Sequence, residues 1–205
     1  MDKYGLIGYP LGHSFSISYF NQKFADEGIN AKYENYEIAS IDELTEILDS
    51  TPELRGLNVT IPYKEKVIPF LDSISPEARA IGAVNVIRVT HEKNKTILKG
   101  FNSDVIGFTQ SIEPMIDKKW HKKALILGTG GASKAICYGL KSLGIVPVFV
   151  SRYERPDTIQ YEKVTPEVVK EYNVIVNCTP LGMYPNTDVC PKLPYEAMDN
   201  HTILY

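Results

Sequence analysis

The stretch LILGTGGASKA, residues 125–135, most constrains what this chain can fold into: an apolar run meets three closely spaced glycines and passes at once into helical spacing. Gly128 allows the tight turn, while Gly130 and Gly131 let backbone approach a diphosphate. The free amides and positive dipole of the helix start then face the charge of such a group. Ser133 stands where the usual dinucleotide fingerprint has a third glycine or alanine. The strand before and the helix after still make the segment a candidate dinucleotide site.

The following strand separates two cofactors. An NAD site places an acidic side chain about 20 residues beyond the glycines to accept the ribose hydroxyls. VPVFVSRYER, residues 146–155, offers Ser151, Arg152 and Arg155 instead. Arginine forms charge-assisted bonds to a 2′-phosphate and gains nothing specific from a hydroxyl, so NADP is favoured over NAD.

Around this turn the pattern alternates strand and helix. In the first half, YGLIG (4–8), YENYEI (33–38) and RGLNVT (55–60) read as strands. ISYFNQKFADEG (17–28) reads as a helix with Phe20, Phe24 and Ala25 on one face and Gly28 at its stop, and DELTEILDS (42–50) as a helix with Leu44, Ile47 and Leu48 inward. KEKVIPFLDS continues toward a helix interrupted by Pro69, and AVNVIRV and TILKG form two strands joined by HEKNK. After GFNSD a second series follows: DVIGFTQSIEPM (104–115) as a helix, the polar KKWHKK (118–123) as a solvated linker, then strands ALIL, VPVFV and NVIVN with helices between them. Near-continuous apolar strands need helices on both faces of a parallel sheet. The expected fold is therefore α/β, with two α/β domains: residues 1–103, and a Rossmann-like doubly wound domain over 104–205, with the active site in a cleft between them. HTILY at the end reads as a strand without its covering helix, so the chain looks like a fragment or an incompletely read sequence.

Composition narrows the function. The 205 residues are 43% hydrophobic and 23% charged, ordinary for a folded protein, and the net charge of −3 with scattered lysines and arginines gives no electrostatic support for nucleic-acid binding. No apolar stretch approaches the roughly 20 residues of a membrane span, and the start MDKYGLIGYP carries no signal-peptide pattern. Cys137, Cys178 and Cys190, odd in number and without CxxC spacing, read as reduced thiols in or near buried segments of a cytoplasmic protein.

Further stretches hold more polar groups than their surroundings need. GYPLGHSFS (8–16) brings Ser14 and Ser16, two apart, onto one side of what reads as an extended loop, beside His13. GLNVTIPYKEK (56–66) presents Asn58, Thr60 and Lys64, IGAVNVI places Asn85 in an apolar strand, and GFNSDVIGF sets Asn102, Ser103 and Asp104 before a helix. Each has a plain structural reading as a cap, a satisfied amide or a solvated side chain.

Taken in order with LGTGGASKA, VSR and VNCTPLGM, these stretches resemble the shikimate dehydrogenases across essentially the whole chain. The resemblance implies reversible reduction of 3-dehydroshikimate to shikimate with NADPH, in the pathway to chorismate and the aromatic amino acids. It implies Ser14 and Ser16 at the substrate carboxylate, Asn58, Thr60, Asn85 and Asp104 at ring hydroxyls, and Lys64 with Asp104 as the catalytic pair. It also implies Gly128, Thr129, Gly130, Gly131 and Ala132 as the phosphate loop, Arg152 at the adenosine phosphate, and Thr179 with Met183 beside the nicotinamide. His13 becomes a loop-positioning residue, and no metal is implied. Expected partners are the small-molecule substrate and NADP, for a monomer or homodimer without nucleic-acid or membrane contacts.

Departures are Ile17 for the family's usual proline, Ser103 for threonine, and Ser151 and Tyr153 for the asparagine and threonine that flank the arginine. The family also continues beyond ILY with a substrate-contacting tyrosine and closing helices, one bearing a glutamine. The rival readings are an NAD-dependent quinate/shikimate dehydrogenase and a non-catalytic NADP-binding sensor.

Overall fold

The computed structural model describes residues 1–12, 14–93 and 95–205, so the reading of His13 lies outside the described residues. The chain separates into two units, Met1–Ser103 and Asp104–Tyr205.

The first unit contains β1 (Asp2–Gly8), α1 (Phe15–Asp26), β2 (Ala31–Glu37), α2 (Leu44–Ser50), β3 (Leu54–Val59), β4 (Ser73–Ile74), α3 (Pro76–Ile81), β5 (Val86–Glu92) and β6 (Lys95–Phe101). Its six-stranded sheet runs β2-β1-β3-β5-β6-β4. β1 lies parallel to β2 and β3, whereas β3, β5 and β6 are successively antiparallel. Alternation puts Leu57, Val59, Ile87, Val89 and Leu98 on one face, where they bury against Leu44 and Ile47 of α2 and Ala78 of α3. On the other face α1 covers β1 and β2: the Phe20 ring stacks on Tyr33 at 4.7 Å, and Phe24 tilts against Tyr4 at 5.7 Å.

Four local readings are corrected here. Ala25 is exposed rather than inward, because Phe20 and Phe24 are one turn apart and the next residue swings about 100° off their stripe. The segment at KEKVIPFLDS forms only the short 3₁₀ turn Ile68–Phe70; Pro69 has no amide to donate, and Leu71 is already extended. Asn85 precedes β5 rather than lying within a strand. A helix that the apolar pattern did not announce, α3, is built from end signals: Ser75 Oγ accepts the Ala78 amide at 3.2 Å, Pro76 occupies the first turn, and Gly82 closes it at φ 72°.

The second unit contains α4 (Asp104–Ile112), β7 (Lys123–Leu127), α5 (Gly131–Ser142), β8 (Val146–Ser151), β9 (Thr158–Gln160), α6 (Pro166–Glu171), β10 (Val174–Asn177) and β11 (Ile203–Leu204). Its five strands are all parallel in the order β11-β10-β7-β8-β9. Two cores flank it. Phe108, Ile112, Ala124, Ile126, Leu140 and Val176 pack on one face, and Leu125, Leu127, Val150, Val169 and Ile175 on the other. This accounts for strands whose consecutive residues are all apolar. The chain runs outward from β7 to β9, then returns to build β10 and β11 on the opposite side. Strand order therefore reverses between β7 and β10, and in doubly wound sheets ligands bind beyond the strand ends at that point.

KKWHKK is no simple solvated linker. His121 is buried, its Nδ1 accepts the Asp117 amide at 2.8 Å, and its Nε2 donates to the His201 carbonyl at 2.7 Å, which ties the entry to β7 to the approach to β11. Trp120 stacks on His201 at 4.1 Å. Cys190, expected near a buried segment, is exposed, while burial pushes the Cys178 thiol up to about 12.

Candidate active site

In the first unit, backbone contacts at the C-terminal ends of the strands fix the loops that carry the candidate substrate residues. The Leu11 amide donates to Glu37 Oε2 at 2.6 Å and the Tyr9 amide to the Ile61 carbonyl at 3.0 Å, which pins residues 9–11 between β2 and the turn after β3. Ser14 is the extended N-cap of α1. Ser14 Oγ is buried yet has no hydrogen-bond partner among the described residues, a costly state for a hydroxyl unless a ligand satisfies it. Ser16 is not in an extended loop as its spacing predicts. It occupies the first turn of α1, since helix geometry begins at Phe15.

Asn58 is the next-to-last residue of β3, and its Oδ1 accepts the Tyr33 hydroxyl at 2.8 Å. The Thr60 amide donates to the Ile7 carbonyl at 2.9 Å, and the Tyr63 phenol clamps the following turn by donating to the Ile38 carbonyl at 2.6 Å. Lys64 leaves that turn with its carbonyl accepting the Val84 amide at 2.7 Å. Asn85 is buried and bonded to Ser103 through both ends of its carboxamide. Asp104 belongs to the second unit, where it is the first residue of α4.

The glycine turn of the second unit has the form that a diphosphate needs. Gly128 holds φ at +105°, a region closed to side chains, and a Cβ there would lie 3.2 Å from the Cys178 carbonyl oxygen. Gly130 is the N-cap of α5, and a Cβ added there would meet nothing within 4 Å, so the space over it is open to a ligand. Gly131 and Ala132 begin the helix, with no acidic residue in its first turn to compete for the amides. Ser133, in place of the third small residue, is buried and donates to the Gly130 carbonyl at 2.6 Å, so it braces the cradle from inside.

Arg155 reaches Thr129 Oγ1 at 3.3 Å, which brings one basic side chain to the phosphate loop. Ser151 ends β8 with its Oγ accepting the Tyr153 amide at 3.1 Å, and the Arg152 guanidinium lies over the Tyr153 ring at 5.7 Å. The loop after β10 is held by Asn177, whose Oδ1 accepts both the amide and the hydroxyl of Thr179 and whose Nδ2 donates to the Leu181 carbonyl. Met183 projects beyond it, largely exposed. These residues fit a dinucleotide. No cluster of potential metal ligands occurs among the described residues.

Tyr33, Glu37 and Asn177 were missed at the sequence level. Tyr33 and Glu37 sit in a strand whose alternation looks purely structural, and only the closing polar residue of NVIVN hinted at Asn177.

Together these units place the chain among the α/β oxidoreductases that use a nicotinamide dinucleotide. Comparison with known proteins narrows this. The family model for the shikimate dehydrogenase substrate binding domain matches residues 6–87. The shikimate dehydrogenase (NADP(+)) of Caldicellulosiruptor saccharolyticus is 35% identical over 208 residues, covering 93% of this chain and 72% of the relative. That of Syntrophomonas wolfei is 38% identical over 226 residues, covering 98% and 74%. Among solved structures, the chorismate mutase/shikimate 5-dehydrogenase fusion protein from Clostridium acetobutylicum superposes with a TM-score of 0.80 at 34% identity, covering 94% of this chain and 72% of that one. Shikimate 5-dehydrogenase from Thermus thermophilus, in complex with NADP(H) and shikimate, gives 0.80 at 27% identity, covering 100% and 77%. The chain belongs to the shikimate dehydrogenase family.

Proposed function

We propose that this protein catalyses the reversible, NADP-dependent reduction of 3-dehydroshikimate to shikimate, a step on the way to chorismate and the aromatic amino acids. The observation that carries the reading is identity of 35% and 38%, over 93% and 98% of this chain, to relatives that bear that name. Residues 1–103 act as the substrate-binding domain and 104–205 as the NADP-binding domain.

NADPH, when bound, supplies the hydride. The chain's own residues do the rest. Ser14 and Ser16 hold the substrate carboxylate, a role that suits the Ser14 hydroxyl, buried and without a partner among the described residues. Asn58, Thr60 and Asn85 read ring hydroxyls with complementary donors and acceptors. Hydride delivery leaves negative charge on the former carbonyl oxygen, which must be neutralised and protonated in the same encounter. Lys64 and Asp104 take that task as a pair, with the ammonium stabilising the developing charge. Gly128, Thr129, Gly130, Gly131 and Ala132 cradle the diphosphate, Ser151, Arg152 and Arg155 select the 2′-phosphate, and Thr179 with Met183 flank the nicotinamide.

The working state is a monomer or homodimer in the cytoplasm. Cys137, Cys178 and Cys190, which are free thiols, agree with a reducing compartment. No helix among the described residues is long and apolar enough to cross a membrane. Shikimate-dependent reduction of NADP, followed by the rise in NADPH absorbance with quinate and NAD as comparators, tests the reading. Absence of any shikimate-dependent signal contradicts it.

A further inference from the structure

Tyr33 has none of the roles assigned above, although its hydroxyl reaches 25 residues along the chain to Asn58 Oδ1 at 2.8 Å. The side chain is only 3% exposed, and its ring is held by stacking on Phe20 at 4.7 Å. We propose that Tyr33 is a positioning residue that fixes which end of the Asn58 carboxamide faces the substrate, an inference that rests on the substrate reading above.

A carboxamide can present either its oxygen or its nitrogen, and the two choices differ by a half-turn of one terminal torsion. With Oδ1 committed to the phenol, the Nδ2 group is left to face outward. Asn58 then offers two N–H donors and selects an acceptor oxygen on a ring hydroxyl. Tyr33 and Asn58 both line an open groove of about 320 Å³ whose other walls include Phe20, Phe24, Arg55, Leu57 and Arg88.

The phenol stays protonated, and therefore a donor, at any working pH, because burial pushes it up to about 12. A smaller influence of the Ser16 hydroxyl opposes that rise. With the phenol a donor throughout, the carboxamide is already set before the ring arrives.

The test is calorimetric titration of shikimate, and separately of NADP, into the full chain and its variants. Tyr33→Phe keeps the stacked ring and removes only the hydroxyl. It is expected to weaken shikimate binding by about tenfold and to leave NADP binding within about twofold. In an Asn58→Ala background the same change is expected to cost less than about twofold, because there is no longer a carboxamide to orient.

Shikimate affinity unchanged by Tyr33→Phe, or an equal loss in both backgrounds, overturns the role. A readout on the unsubstituted chain makes the outcome independent of variant folding. With ¹⁵N-asparagine labelling, the Asn58 Nδ2 resonances shift on shikimate addition if the proposal holds, and their failure to move while binding occurs overturns it. If the unsubstituted chain binds no shikimate, the substrate reading falls and this role falls with it.

Discussion

Asn85 and Ser103 hold each other at both ends of one carboxamide: Asn85 Nδ2 donates to Ser103 Oγ at 3.1 Å, and Asn85 Oδ1 accepts the Ser103 amide at 2.7 Å. The residue proposed to read the substrate ring thus also fixes the last residue of the first unit, immediately before Asp104. Binding and architecture share one side chain.

Asn85→Ala is accordingly expected to lower unfolding free energy by about 1–3 kcal/mol, because the Ser103 amide loses its acceptor, in addition to weakening shikimate binding. Denaturant unfolding checks the first effect. An alanine variant as stable as the parent contradicts the architectural role.

Two glycines of the phosphate loop are predicted to fail differently. Gly128→Ala places a side chain at φ +105°, 3.2 Å from the Cys178 carbonyl oxygen, and is expected to cost at least about 1–2 kcal/mol of stability. Gly130→Asp has open space around it and supplies an N-cap acceptor to α5, so the melting temperature holds or rises by a little. Its carboxylate nevertheless opposes a diphosphate at the helix start, and NADP binding is lost by roughly a hundredfold or more. Paired thermal melts and NADP titrations check both.

The double change Arg152→Gln and Arg155→Gln is expected to erode preference for NADP over NAD by about 10- to 100-fold, the value of charge-assisted bonds to one phosphate. Kinetics with the two cofactors measure it. Unchanged preference would place 2′-phosphate recognition elsewhere in the chain.

A pH dependence follows from Asp72. Its carboxylate accepts from Lys95 Nζ at 2.6 Å and from the Leu98 amide at 2.8 Å, and both hold it below the ordinary value of 3.8. A carboxyl depressed by folding stabilises the native state above its unfolded value, and that contribution is lost as pH falls through the folded one. Asp72→Asn should therefore melt lower than the parent at neutral pH, with the gap closing below the ordinary aspartate value. A gap that is constant across pH contradicts the assignment.

The two-sided burial of the second sheet was legible because ALIL and VPVFV leave no polar residue to face solvent, and the glycine turn because its neighbours are a strand and a helix. Helix α3 was obscured because PEARAI carries little apolar periodicity and forms on the strength of its end caps. The buried His121 was hidden among lysines that remain solvated, since one side chain can turn inward from a polar run. At the candidate site, Ser14, Asn58 and Lys64 each have a plain structural reading by residue type, and their roles were legible through the family resemblance. Partners such as Tyr33 and Asn177 depend on contacts made across strands, or within a loop whose shape the sequence does not state.

The most direct measurement is oxidation of NADPH on addition of 3-dehydroshikimate to the purified chain, with Lys64→Ala alongside. Substrate-dependent loss of NADPH absorbance with shikimate as product is expected, slowed by about 10²- to 10⁴-fold in the variant, the usual contribution of a positioned acid–base group. No NADPH oxidation by the parent chain, or an equal rate in Lys64→Ala, would contradict the proposed function.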